Sequence, residues 1–255
     1  MNTLAISDLI FPAFAKNQLK KIPLSYGLEY FIEFGSNAYW EQLFPLLNSD
    51  QRAISLHGPC VTVNLADPLD TQYMNQFKEA FTIGKNIHAD FVVVHTNEFW
   101  LGHRTECQEL VIKRLQELAA FTHSINGPLM AVENVGLHEN NLFNESEYIS
   151  LFETIPHIVS IIDVGHANVN NWDLHHVIKT LNSKIVAFHL HDNDGQRDQH
   201  QPINTGTINW PELFQTIHTY APNATKVLEY ANGSFANSND LLQHIMTLQD
   251  MLTIK

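Results

Sequence analysis

The sequence predicts an α/β protein, a single (β/α)8 (TIM) barrel spanning residues 1–255. Three observations carry that expectation. Eight short runs rich in Val, Ile, Leu and Phe alternate with longer amphipathic stretches. The runs are continuously apolar rather than alternating, as strands covered on both faces are. The length of 255 residues also suits one such closed unit, which typically needs roughly 250. Eight strand–helix units in a chain of this length close most economically into a barrel.

In order, the strands are expected at Leu4–Ile10, Leu28–Phe34, Ala53–Leu56, Phe91–Val94, Leu129–Glu133, Val159–Val164, Ile185–Leu190 and Lys226–Glu229. The first helix is short and weak, somewhere within Ala13–Lys21. Stronger amphipathic segments cover Tyr73–Ile87, Arg104–Thr122 and Asn239–Leu252. The last places Leu241, Leu242, Ile245, Leu248 and Leu252 at helical spacing, a core-facing stripe. Asn209 is a candidate N-cap, with Pro211 in the first turn that follows. Asn239-Asp240 is expected to open the last helix in the same way. No linker, low-complexity tract or internal repeat divides the chain, so one domain is expected.

Composition narrows the function. The chain is 44% hydrophobic and 16% charged, enough to bury a sizeable core. Its 27 acidic residues against 14 basic give a formal charge of −13. That balance opposes nonspecific binding to nucleic acid or to an anionic membrane, although bound divalent cations can invert the local sign. No apolar run approaches the roughly 20 residues of a membrane span, and the start of the chain has no secretory pattern. Two cysteines, Cys60 and Cys107, suggest no disulfide framework and suit a reducing cytoplasm. Fifteen histidines are the unusual number, and they hint at metal chemistry.

The position of those histidines sharpens the hint. Parallel barrels place their active sites at the C-terminal strand ends. Here the third run ends on His57, the fourth on His95 and the fifth on Glu133. The sixth ends on Asp163 and is followed by His166, the seventh on His189 and the eighth on Glu229. Any one of these could be a hydrogen-bonded rim histidine or a helix-capping carboxylate. Together they would repel unless a divalent cation resolved the conflict. Mixed imidazole and carboxylate ligands suit zinc, manganese, cobalt or iron. In the seventh loop Asp198 and His200, two apart in extended chain, could chelate a metal together with His166, although a simple turn is the plainer explanation.

This set resembles the xylose-isomerase-like TIM-barrel superfamily, which joins sugar isomerases and epimerases to the endonuclease-IV-type abasic-site nucleases (AP endonuclease family 2). The resemblance runs from about His57 to Glu229. It implies one to three divalent ions, zinc or manganese first, with cobalt, iron or magnesium as further choices. One site would use His57, His95 and Glu133. A second would share Glu133 with Asp163, His189 and Glu229. The third would be His166, Asp198 and His200. Two departures concern function. Cys60 and Val61 stand where such nucleases carry a Tyr-Leu wedge, and Asn204-Thr205-Gly206 stands where the sugar-isomerase branch has G-x-G.

Two chemistries follow from the resemblance. In the first, the substrate is a small sugar or sugar phosphate, and Glu133 and Glu229 abstract and return a proton while a metal stabilises the enediolate. His57 and His95 then bind hydroxyls or a second metal. Glu33 orients a partner group or makes a rim salt bridge, and Trp100, with Trp40 and Phe99, walls the pocket. In the second, the same ligands drive phosphodiester hydrolysis at abasic sites in DNA; the complete ligand set favours this, and the acidic charge and missing wedge oppose it. A non-catalytic metal-binding barrel is a third possibility. The isomerase or epimerase is the preferred expectation, with a carbohydrate substrate, no membrane partner and room for a homo-oligomer.

Overall fold

The computed structural model describes residues 4–11, 16–47 and 52–252. Eight parallel strands close in sequence order, each hydrogen-bonded to its neighbours and β8 to β1. They are β1 (Leu4–Ser7), β2 (Gly27–Phe31), β3 (Ile54–His57), β4 (Phe91–His95), β5 (Leu129–Glu133), β6 (Ile158–Asp163), β7 (Ile185–Leu190) and β8 (Thr225–Leu228). The helices between and after them are α1 (Lys16–Leu19), α2 (Asn37–Leu47), α3 (Tyr73–Asn86), α4 (Arg104–Ser124), α5 (Glu145–Thr154), α6 (Val164–Val169), α7 (Leu174–Leu181), α8 (Trp210–Tyr220), α9 (Ser238–Thr247) and α10 (Gln249–Leu252). The expected closed (β/α)8 barrel is what forms. Among the described residues no helix is long and apolar enough to cross a membrane.

The first two strands are shorter than their apolar runs. After Ser7 the chain turns into 3-10 geometry over Asp8–Ile10, and after Phe31 it does so over Ile32–Phe34. The Asp8 carboxylate explains the first turn, since it is buried and accepts the Phe31 backbone N–H at 2.9 Å. That bond ties the end of β1 to the end of β2. The expected start of the first helix, Ala13–Ala15, lies outside the described residues, while Lys16–Leu19 is helical. The last helix is capped by Asn237 rather than Asn239: the Asn237 side chain accepts from the N–H groups of both Asn239 and Asp240. Its apolar stripe is divided at Leu248 between α9 and α10. Asn209 does sit at the N-cap of α8 with Pro211 in the first turn, but its side chain donates to Glu212 Oε2 instead of capping.

Strand alternation divides the core into two layers. Outward-facing residues such as Leu28, Leu56, Val92, Val132, Ile162, Phe188 and Leu228 pack among the helices in one large cluster. Inward-facing Ala5, Phe91, Val93, Ala131, Ile161, Ala187 and Val227 form a separate cluster inside the barrel. Because side chains on one face of a strand recur every second residue, the next inward positions are fixed. Val93 is followed by His95, Ala131 by Glu133, Ile161 by Asp163, Ala187 by His189 and Val227 by Glu229. The apolar layer is therefore the floor of a polar mouth. A register irregularity at Ser160/Ile161 leaves Asp163 paired with His189 across β6 and β7.

Candidate metal centre

The mouth gathers every ligand-type residue expected from the strand ends. Three backbone carbonyls set the histidines' tautomers. His57 Nδ1 lies 3.0 Å from Gly58 O, His166 Nδ1 3.0 Å from Asn134 O, and His200 Nδ1 2.9 Å from Glu229 O. A carbonyl only accepts, so in each case Nδ1 carries the hydrogen and Nε2 is left to face the site. His57 Nε2 then meets His95 Nε2 at 3.2 Å. His166 and His200 aim their Nε2 atoms at one oxygen, Asp198 Oδ2, at 3.2 and 3.0 Å. His200 holds this position with a left-handed φ of 46°, a conformation that costs a non-glycine residue energy and recurs at functional sites.

A second group surrounds His189. Its Nδ1 lies 3.2 Å from Glu133 Oε1, 3.4 Å from Glu229 Oε2 and 3.9 Å from Asp163 Oδ2. Its other nitrogen, Nε2, lies 2.9 Å from Glu29 Oε1. Glu133 reaches the other corner as well, with Oε2 3.0 Å from His95 Nε2 and 3.7 Å from His57 Nε2. It bridges the two groups.

The polar atoms are crowded and underpaired. Glu133 Oε2, Glu229 Oε1 and Asp198 Oδ1 are buried with no hydrogen-bond partner. Burying unpaired carboxylates is costly, and an imidazole lone pair facing a carboxylate oxygen is repulsive unless a cation or proton lies between them. In the metal-free chain protons take that role. Burial opposes charge on His166 and His200, but Asp163 and Asp198 for the first, and Asp198 and Glu229 for the second, lift them to about 10 and about 9. Burial drives Glu229 up to about 8 against the pull of His189 and His200. Glu133, also buried, is held well below the usual range by His189 and His95. His57 moves down because burial outweighs the attraction of Glu133. Donor types, spacing and orphaned oxygens together fit divalent cations.

The model of a protein family described as the xylose isomerase-like TIM barrel matches residues 35–250 of this sequence. The chain belongs to this family. A protein of Methanocaldococcus jannaschii, MJ1614, is 23% identical over 202 residues, covering 78% of this chain and 77% of its own. Among solved structures, a D-tagatose 3-epimerase-like protein superposes with a TM-score of 0.82 at 18% identity, covering 98% of this chain and 97% of its own. The AP endonuclease, family 2, of Brucella melitensis superposes at 0.77 and 13%, covering 96% and 99%. The TTHB071 protein of Thermus thermophilus, studied by soaking with ZnCl2, superposes at 0.74 and 19%, covering 98% of both chains. These likenesses establish the fold and span both the epimerase and the nuclease branches of the family.

The mouth opens into a cavity of about 400 Å3. His57, His95, Glu133, His166, Asp198, His200 and Glu229 line it beside the apolar Leu9, Phe31, Val135 and Leu137. Two residues expected at the substrate are placed elsewhere. Glu33 is not on the cavity wall; its carboxylate accepts the backbone N–H groups of Cys60, Val61 and Thr62 at 3.0, 2.7 and 2.6 Å and clamps the loop after β3. Trp100 is packed against the apolar core and does not line the cavity. Trp40 is buried and donates to Ile32 O and Gly35 O, and Phe99 borders a separate depression. The aromatic wall is Phe31, whose ring stacks on His57 with centroids 3.9 Å apart.

Three further residues, Glu29, Asn134 and His191, support the mouth from positions not proposed as site residues from the sequence. Glu29 is fully buried, bonded to His189 and to Ser55 Oγ at 2.9 Å. Asn134 brackets Asp163, donating to its carbonyl at 2.9 Å and accepting its N–H at 2.7 Å. His191 lies 2.9 Å from Asp163 Oδ2 and stacks on His200 with centroids 3.9 Å apart. It fits only because residue 165 is glycine: a Cβ there would sit 2.0 Å from the His191 ring. The missing first glycine of G-x-G is also explained. Asn204 adopts φ of 72°, which asparagine tolerates, and Gly206 keeps the close approach, since a Cβ would meet Asn193 O at 2.2 Å.

Proposed function

We propose that the protein is a divalent-metal-dependent isomerase or epimerase acting on a small, unphosphorylated sugar. One observation carries this: Glu133 and Glu229 each leave an unpartnered buried oxygen beside a cavity of sugar size whose described lining contains no lysine or arginine. A phosphate group is typically held by lysine, arginine or a helix N-terminus, whereas a neutral polyol needs carboxylates, imidazoles and amides. Such a cavity suits the second.

In the metal-free chain the surroundings push the pKa values of the two glutamates apart, Glu133 down and Glu229 up, the pattern that assigns base and acid roles. Glu133, the more acidic of the two, takes the proton from the carbon beside the substrate carbonyl, and Glu229, which burial makes the weaker acid, returns one. Glu133, Asp163, His189 and Glu229, with His57 and His95 beside them, would hold the divalent cations, which would supply Lewis-acid polarisation of the carbonyl. Glu29 fixes the His189 ring, and Asn134 fixes Asp163, so the proton-transferring pair works in a rigid frame. Return of the proton to the same or the neighbouring carbon gives epimerisation or isomerisation.

The third donor group, His166, Asp198 and His200, favours a second reading, phosphodiester hydrolysis at abasic DNA sites. The formal charge of −13 and the buried Cys60 and exposed Val61 in place of a Tyr-Leu wedge oppose it. The test is a paired assay on metal-loaded protein, with a ketose panel in deuterated water and a duplex carrying one abasic site. The proposal expects solvent deuterium next to the ketose carbonyl and an intact duplex. Efficient nicking without exchange would replace it with the nuclease reading.

A further inference from the structure

We propose that Cys60 supplies a thiolate to a cation held by His57 and His95, making that corner of the mouth a sulfur-containing pocket that prefers zinc to manganese or magnesium. The inference rests on the reading of the mouth as a metal centre. The donor atoms of His57, Cys60 and His95 lie within 4.8 Å of one another. The second, independent observation is Glu133 Oε2, an oxygen on a side chain only 1% exposed, which has no hydrogen-bond partner and points into the same corner. It lies 3.0 Å from His95 Nε2 and 3.7 Å from His57 Nε2, which are themselves 3.2 Å apart.

The nitrogen and oxygen separations, 3.0–3.7 Å, bracket those of a tetrahedral zinc set, and the Cys60 sulfur lies within 4.8 Å of both imidazoles. With Zn–N of about 2.0–2.1 Å and Zn–S of about 2.3 Å, neighbouring donors stand roughly 3.3–3.6 Å apart. Two imidazoles and one carboxylate oxygen would take three positions, and the Cys60 sulfur, closing in on the cation, would take the fourth. The placement of Cys60 is built into the loop. Gly58 O fixes the His57 tautomer, Phe31 stacks on the His57 ring, and the Glu33 carboxylate receives the Cys60 N–H at 3.0 Å. The buried thiol is therefore held within 4.8 Å of donor nitrogens of His57 and His95. Cys107 has a separate place on α4, its thiol donating to Leu101 O at 3.3 Å.

The consequence is two chemically different pockets joined by Glu133. The corner of His57, Cys60 and His95 is soft, whereas that of Glu133, Asp163 and His189 is oxygen-rich. On binding, the Cys60 thiol gives its proton to solvent; thiolate and a shared carboxylate balance the dication.

Cobalt(II) substitution tests this without reference to turnover. One equivalent of cobalt added to metal-free protein should give visible d–d bands and a near-ultraviolet thiolate-to-cobalt charge-transfer band. The band should persist in Cys107→Ser and vanish in Cys60→Ser while the d–d bands remain. Zinc affinity should fall at least about tenfold in Cys60→Ser, with manganese affinity unchanged. If Cys60→Ser does not fold, zinc-edge X-ray absorption on the unmodified protein reads the same point, one sulfur at about 2.3 Å. Cobalt bound without the charge-transfer band, or a band that survives in folded Cys60→Ser, overturns the proposal. Deuterium exchange by a protein lacking the band would remove Cys60 alone and leave the sugar chemistry standing.

Discussion

Along β4 to β8 the floor and the mouth of the barrel are separated by one repeat of the strand pleat. Val93, Ala131, Ile161, Ala187 and Val227 face inward at the floor; His95, Glu133, Asp163, His189 and Glu229 face inward two residues later. Backbone pairing is the same for both, since the ladders run without a break from one to the other along β4 and β5. What differs is the sign of the energy. The floor removes apolar surface from water and stabilises the fold. The mouth buries carboxylates and imidazoles whose charges are underpaired, which costs stability and leaves them free to bind. A single strand thus carries both a stabilising and a functional layer.

The sharpest way to separate the two layers is Glu229→Gln. Turnover should fall at least about a thousandfold, roughly 4 kcal/mol on the barrier, because the variant can neither hold nor deliver the proton. Its unfolding midpoint in the absence of metal should stay level or rise, read by urea denaturation. At the floor the outcome reverses. Ile161→Ala should lose about 3 kcal/mol of stability by opening a cavity in the inner cluster, while metal content measured by elemental analysis stays at the wild-type value. An Ile161→Ala protein that lost its metal, with its stability intact, would break the division.

A smaller effect is expected where a charge intrudes on the apolar face. Lys226, on β8, is 2% exposed and its Nζ has no hydrogen-bond partner. Burial lowers its pKa from 10.5 to about 8. The folded state thus disfavours the ammonium: the cost is fully present below pH 8 and is relieved as pH rises from 8 to 10.5, where the unfolded chain keeps the proton longer. Lys226→Met should stabilise by about 2 kcal/mol at pH 7, and the gain should shrink above pH 8. Thermal unfolding across that range measures it. The least of these effects belongs to Glu33→Gln, which weakens the clamp on Cys60–Thr62 by about 1 kcal/mol without removing a metal.

This division also explains what could be read from the sequence. His57, His95, Glu133, Asp163, His189 and Glu229 were legible because each ends an apolar run, and the barrel directs such ends to one mouth. Glu29 was not, because it lies within the strand Gly27–Phe31, and its partner His189 is 160 residues away. His191 was obscured for a different reason: it reaches Asp163 only through the space left by Gly165. Glu33 and Trp100 sit near strand ends in sequence but turn toward the β3 loop and the core, directions that spacing does not encode. Early strand ends were overread because Asp8, embedded in an apolar run, closes a turn by bonding Phe31.

The central claim is that the mouth is a cage for divalent cations, with protons as stand-ins when they are absent. Calorimetric titration of metal-free protein with zinc, in two buffers of different ionisation heat, tests it most directly. His166 and His200, at about 10 and about 9, are protonated at neutral pH and must release protons to bind. Their raised values also stabilise the metal-free fold fully below pH 6.5, and that contribution is lost as pH rises through 9 to 10. The account predicts tight binding, net proton release at pH 7, and affinity that climbs with pH through that range. A folded protein that takes up no zinc, or takes it up with no proton released, would contradict it.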